Sequence, residues 1–159
     1  MDQNQEKIDS GKVRDMLQHL IETCRDGQNG ARFAAEHSTS PDLKKFFDEL
    51  SLRRGQAAGD LEAELQRLGK HDPDREGTTK GSLHRAWFEL KSKLGAGDDH
   101  GVLDWMEQGE DYAKKQFQEA LQEKLPNDVR DVVQRVSQEV MTAHDKVRDL
   151  RDRFKKNAA

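Results

Sequence analysis

Apolar residues recur every three to four positions along most of this chain. Such spacing places them on one face of an α-helix, which completes a turn every ~3.6 residues. The pattern predicts four long helices and one short helix. The long helices are expected at about 13–37, 41–68, 100–124 and 126–154, and the short helix at about 81–94.

The connections between these helices differ in length, and the difference predicts the topology. Ser40 and Pro41 suit the N-cap and the first turn of the second helix, so the first two helices form a hairpin. The stretch 69–99 is long enough to cross a bundle. Two antiparallel pairs joined by one long crossover make the ferritin-like connection. The sequence therefore predicts an all-α, ferritin-like up-down four-helix bundle over 13–154, with the short fifth helix in the crossover.

The two predicted hairpins share one apolar pattern when the first is shifted by 86 positions, the distance from Leu17 to Leu103. Ten inward positions of the first hairpin then fall on ten apolar positions of the second. The pairs are Leu17–Leu103, Leu20–Met106, Ala31–Phe117, Ala35–Leu121, Leu43–Val129, Phe46–Val132, Phe47–Val133, Leu50–Val136, Ala57–Ala143 and Leu61–Val147. Because both helices and the turn between them agree, the repeat predicts pseudo-twofold symmetry of the bundle.

Charge and hydropathy then narrow the class of protein. The 27 Lys and Arg residues nearly balance the 31 Asp and Glu residues, which indicates helices with solvated outer faces rather than a disordered chain. No basic block is present for nucleic acid, and no apolar run is long enough for a membrane span. The polar segment 1–12 predicts no signal peptide and hence a cytoplasmic location. Segments 1–12 and 155–159 are expected to be flexible tails.

Five short segments carry a resemblance to a known family. They are Leu20 to Gly27, Ala34 to Glu36, Ser82 to Trp87, Gly109 to Asp111 and Ala143 to Val147. Together they resemble an uncharacterised bacterial family of ferritin-like four-helix-bundle proteins, a domain of unknown function. The resemblance covers about 13–153 and implies the ferritin-like fold, but it implies no established reaction. The sequence departs from the family pattern at Ala31, where a large aromatic residue is expected.

The ferritin-like fold raises the question of a di-iron centre, which needs inward Glu residues on two helices and a Glu-x-x-His pair on each of the other two. Glu110 meets this need, since it lies within about 20° of Leu103 on the helical wheel, and Glu107 lies about 40° to the other side. The last helix offers Glu139 and His144, which are five positions apart rather than three. Glu107, Glu110, Glu139 and His144 are therefore the candidate ligands for iron, manganese or zinc.

The other two helices argue against a complete centre. Cys24 occupies the position equivalent to Glu110, with Gln28 as the next inward polar residue, and the second helix presents Arg54. A fixed cation repels a metal ion, whereas buried opposite charges are usually paired. The sequence therefore predicts no cofactor and a structural polar core of Arg54, Glu110 and Gln28, with Glu107 nearby. Cys24 is predicted to be an inert buried thiol.

These observations predict a non-catalytic ferritin-like bundle, a stress-associated accessory or binding protein. The stress association follows from the family resemblance and not from any residue. No Gly-rich phosphate loop, nucleophile elbow or Ser/His/Asp set is present in the sequence. Two alternatives stay open: a metal-binding oxidase or storage protein for iron or manganese, with an incomplete site, and a dimerising interaction module. Trp105 and Phe88, predicted on an outer face, are the cue for a homodimer.

Overall fold

The computed structural model describes residues 8–69 and 98–157. These residues form four α-helices and no strand. The helices are α1 (Ser10–His37), α2 (Pro41–Arg67), α3 (Asp99–Leu121) and α4 (Asn127–Asn157). The short helix predicted at 81–94 lies outside the described residues.

Local capping explains why α1 begins earlier than predicted. The helix starts at Ser10 rather than Val13 because the Asp9 side chain accepts hydrogen bonds from the backbone N–H groups of Gly11 and Lys12, at 3.0 and 3.2 Å. An N-cap acceptor of this kind satisfies donors that the first turn leaves without helical partners. The first three residues of α1 therefore belong to the helix and not to the predicted N-terminal tail.

The other helix ends follow from similar local chemistry. Ser40 is the N-cap of α2, as predicted, and Gly69 follows its last turn with a positive φ of 91°. Glycine adopts this left-handed conformation without a steric cost. The helix α3 ends at Leu121 instead of 124, because the N–H groups of Gln122 and Glu123 bond three residues back, which tightens the last turn. The helix α4 extends three residues beyond the predicted end at 154.

The four helices form an up-down bundle with two antiparallel hairpins. Helix α1 packs against α2 and α3, and α4 packs against α2 and α3, so α2 and α3 lie diagonally across the core. Arg14 Nη1 donates to the carbonyl oxygen of Leu68 at 3.4 Å, which places the end of α2 beside the start of α1. Asp99 contacts Thr39 in the α1–α2 turn. Helix α2 therefore ends, and α3 begins, at opposite ends of the bundle.

The apolar core divides into two clusters along the bundle axis. The lower cluster, near the start of α1, includes Leu17, Leu20, Leu61, Phe117 and Val133. The upper cluster, near the α1–α2 turn, includes Phe47, Leu50, Leu103, Met106 and Val147. In all ten pairs of the 86-residue repeat, one residue lies in or against the lower cluster and its partner lies in or against the upper one. A twofold axis perpendicular to the bundle produces this exchange.

A buried carboxylate joins the two hairpins at the upper end. Asp99, the first residue of α3, accepts hydrogen bonds from Thr39 N at 2.7 Å, Thr39 Oγ1 at 2.8 Å and Ser40 N at 3.0 Å. Within the described residues, the neighbouring Asp98 has the local role of N-cap, accepting from Gly101 N at 2.8 Å. Asp99 is thus a tertiary contact that satisfies two turn N–H groups of the first hairpin.

Asp99→Ala should lower the free energy of unfolding by about 2–3 kcal/mol, because three donors lose a charged acceptor. Asp99→Asn should cost less, since one carbonyl oxygen remains. Asp98→Ala is the matched control, with an expected loss of about 1 kcal/mol for an N-cap. Urea denaturation followed by circular dichroism measures all three. A loss for Asp99→Ala no greater than for Asp98→Ala would contradict the tertiary role.

Candidate functional site

An ion pair lies at the centre of the bundle, between the two apolar clusters. Arg54 Nη2 of α2 is 2.5 Å from Glu110 Oε2 of α3. Both side chains are almost fully buried, with exposures of 2% and 3%. Since α2 and α3 are diagonal helices, the pair crosses the middle of the core. The structure thus brings together two of the residues that the sequence identifies as a polar core.

The guanidinium group reaches this position because α1 leaves room for it. A Cβ atom added to Gly27 would lie 3.3 Å from Arg54 Cδ and 3.5 Å from Arg54 Nε, so the Arg54 side chain passes directly over the Gly27 backbone. Arg54 Nε is buried and makes no hydrogen bond with the described residues. Glycine at this position therefore allows a long cationic side chain to lie between two closely packed helices.

The ion pair breaks the pseudo-twofold symmetry of the bundle. The repeat relates Arg54 to Val140 and Glu110 to Cys24, each 86 positions apart. Val140 and Cys24 are both buried in the lower cluster. One diagonal of the centre thus carries two opposite charges, whereas the equivalent diagonal carries an isopropyl group and a thiol. Of these four central side chains, only Glu110 offers a carboxylate.

Gln28 does not join the central pair. Its Oε1 atom accepts a hydrogen bond from Arg25 Nη1 at 2.9 Å, and Arg25 Nη2 lies 3.0 Å from Glu62 Oε1. The Gln28 carbonyl oxygen also accepts from Ser51 Oγ at 3.0 Å. These contacts place Gln28 in a half-buried network between α1 and α2. Its side chain is thus hydrogen-bonded to Arg25 on its own helix, and a place for Gln28 in one polar core with Arg54 and Glu110 stays a prediction.

The candidate metal ligands separate into different environments. Glu110 is paired with Arg54, and Glu139 lies on the surface beside Arg135, at 3.5 Å. Neither approaches the other candidates as a ligand group. The structure does bring Glu107 and His144 together at the contact between α3 and α4.

Asp111, which is not among the ligands predicted from the sequence, completes this group. Single ligand atoms of Glu107, Asp111 and His144 lie within 4.8 Å of one another. Glu107 and Asp111 are four residues apart on α3 and therefore lie on the same side of the helix. That four-residue spacing is the signal in the sequence that Glu107 and Asp111 lie side by side. Because both residues flank the apolar face, however, only the position of α4 shows that His144 is their common neighbour.

Both nitrogens of the His144 ring face carboxylates. His144 Nε2 contacts Asp111 Oδ1, and His144 Nδ1 is 3.1 Å from Asp145 Oδ1. The hydrogen bond with His144 lowers the pKa of Asp145. Glu107 Oε2 contacts Arg151 Nη1, which compensates part of its charge. The residues Glu107, Asp111 and His144 are hereafter the α3–α4 carboxylate–histidine group.

Comparison with known proteins decides the family. The profile of a family described as "Domain of unknown function (DUF2383)" matches residues 12–123, more than half of the chain. The chain belongs to the DUF2383 family. The resemblance predicted from the sequence, to a ferritin-like helical family of unknown function, is confirmed. No curated protein matches this DUF2383 chain.

A solved structure shows the fold. The chain is similar to a two-domain protein with DJ-1/ThiJ/PfpI-like and ferritin-like domains from Anabaena variabilis ATCC 29413, with 14% identity and a TM-score of 0.73. The match covers 95% of this chain but only 39% of that protein. The likeness therefore shows the ferritin-like fold, which confirms the predicted fold class. None of the helices that the structure describes is long and apolar enough to span a membrane.

Trp105, one of the two residues that suggest a homodimer, lies at the edge of the upper cluster. This side chain is partly buried against the upper cluster, and its ring is 5.5 Å from the Phe33 ring in an edge-to-face contact. Trp105 is therefore half-buried, since an aromatic residue on α1 packs against part of it. Phe88, the other cue, lies outside the described residues. A homodimer of the DUF2383 protein stays a prediction.

The central ion pair leads to a double-mutant test. Arg54→Met and Glu110→Leu should each lower the free energy of unfolding by about 3–5 kcal/mol, because each leaves one buried charge without its partner. The double variant should be far milder than the sum, since it replaces both charges with apolar groups. Chemical denaturation of the four proteins measures the coupling. Additive losses would show that the two charges do not interact.

Cys24 should be unreactive in the folded protein. Burial raises the pKa of its thiol from 9.0 to about 12, with the Arg54 charge opposing this rise. Because the thiolate is the nucleophile, iodoacetamide at about pH 8.5 should label the chain only after unfolding. The chain has one cysteine, so mass spectrometry reports this site alone. Labelling of the native protein at the rate of a free thiol would contradict the burial argument.

Proposed function

We propose that this DUF2383 protein is a non-catalytic ferritin-like bundle, an accessory or binding protein without a di-iron centre. The observation that carries the proposal is the position of Arg54, which lies at the centre of the bundle and holds Glu110 in an ion pair. The stress association, which was expected from the family resemblance, has no support from any residue and stays a prediction.

The central residues argue against the rival function, an iron- or manganese-dependent oxidase or storage protein. A di-iron centre in this fold takes carboxylates from all four helices and histidines from two. The central positions on α1 and α4 instead carry Cys24 and Val140, and the Cys24 thiol keeps its proton because its pKa is raised to about 12. Arginine cannot lose its charge in a protein, so Arg54 competes permanently with a cation for Glu110.

The test compares the wild type with the Arg54→Met/Glu110→Leu double variant, which should fold and cannot hold metal at the centre. Ferrous iron is added anaerobically, bound iron is measured per chain, and the rate of iron oxidation is followed after oxygen is admitted. We expect the two proteins to bind the same amount of iron and to oxidise it no faster than buffer. Two irons per wild-type chain, lost in the double variant, would overturn the proposal.

A further inference from the structure

The α3–α4 carboxylate–histidine group is separate from the centre of the bundle. Glu107 and Asp111 project from α3, and His144 projects from α4, whereas the central Glu110 contacts Arg54 on α2. The group combines one imidazole with two carboxylates, a donor set that suits borderline divalent ions such as Zn²⁺. We propose that Glu107, Asp111 and His144 form a binding site for one divalent transition-metal ion, with Zn²⁺ as the representative ion.

The environment of His144 prepares its ring for coordination. The ring is 7% exposed, and its Nδ1 atom lies 3.1 Å from Asp145 Oδ1. A carboxylate on one ring nitrogen holds the proton there and leaves the other nitrogen free to donate its lone pair. That other nitrogen, Nε2, is the one directed at Asp111. Asp145 is thus a positioning residue, and it has no direct bond to the ion.

The two carboxylates differ in exposure, and this difference defines the access route. The Glu107 side chain is 12% exposed, whereas the Asp111 side chain is 61% exposed. An ion held between them and His144 is therefore anchored by two buried groups and reached from solvent on the Asp111 side. Three protein ligands leave a coordination position for water or for a small anionic ligand.

Local charge also favours a cation. The two ion-pair networks that contain His144 and Arg151 have more carboxylates than guanidinium groups, and the charge of Lys114 also acts on Asp145. The carboxylates are Asp104, Glu107, Asp111, Asp145, Asp149 and Asp152, and the guanidinium groups are Arg148 and Arg151. A divalent ion would offset this excess of negative charge.

Arg151 is the internal competitor for the site. Its Nη1 atom contacts Glu107 Oε2 and lies 3.9 Å from Asp104 Oδ1, while its Nη2 atom is 3.1 Å from Asp152 Oδ1. Glu107 has a second oxygen available for the metal, so the two cations can share one carboxylate, although they repel each other. Removal of the guanidinium group should consequently strengthen metal binding.

The experiment is calorimetric titration of the EDTA-stripped full chain with Zn²⁺, and separately with Mg²⁺. We expect one Zn²⁺ per chain and no comparable binding of Mg²⁺, which does not favour imidazole. His144→Ala should abolish the site. Asp111→Asn should weaken it strongly and, being at an exposed position, should leave the fold intact. Asp145→Asn should weaken it by about 10- to 100-fold through the orientation of the ring.

Two controls make the result specific. His19→Ala removes another histidine, which contacts Gln116 instead of a carboxylate, and should leave Zn²⁺ binding unchanged. Arg151→Met should tighten binding, an effect that a purely structural ion-pair network would not produce. Circular dichroism of every variant reports whether the fold is retained.

The outcomes distinguish failure of this site from failure of the function proposed above. Unchanged Zn²⁺ binding in Asp111→Asn and His144→Ala, or no stoichiometric binding by the wild type, would overturn this site. Binding that disappears in the Arg54→Met/Glu110→Leu variant would place the metal at the centre of the bundle, and both proposals would then fail. Binding retained in that variant and lost in Asp111→Asn supports the α3–α4 site.

Discussion

Two opposite charges at the centre of the bundle constrain how the four helices pack. Arg54 and Glu110 belong to diagonal helices, and burial of either charge alone would cost several kcal/mol. A rotation of α2 or α3, or a slip along the bundle axis, would separate them. The apolar clusters on either side tolerate changes of side chain more readily, because hydrophobic contacts have no direction. The pair therefore specifies the register of the bundle, while the apolar clusters provide its stability.

The same pair breaks the symmetry of the fold at the centre. The ten repeat pairs exchange between the upper and lower clusters, yet Arg54 and Glu110 are related to Val140 and Cys24. Metal chemistry in this fold uses carboxylates that meet at the centre of the bundle. Here a guanidinium group occupies that volume. Among the described residues, the carboxylates and the imidazole that come together are those of the α3–α4 carboxylate–histidine group. Fold alone does not assign function, so the functional proposals rest on this arrangement of side chains.

Prediction from the sequence was most accurate for features that depend on adjacent residues or on the helical period. Ser40 and Pro41 mark the start of α2 through capping geometry, which depends on a few adjacent residues. The helical wheel identifies Arg54 and Glu110 as inward charges because angle counting is accurate within regular helices. The bounds were less accurate at the start of α1, where Asp9 is the cap, and at the end of α3, where the last turn tightens.

The sequence by itself determined the four amphipathic helices, their order and the charges that must be buried, because periodicity reports which side of a helix faces inward. The tertiary structure decided which neighbours the flanking residues meet. Asp99 reaches the α1–α2 turn, and Asp111 approaches His144 on α4. These contacts depend on the rotation and axial offset of one helix relative to another. A residue at the edge of an apolar face can turn toward either adjacent helix, and only the packed bundle selects one.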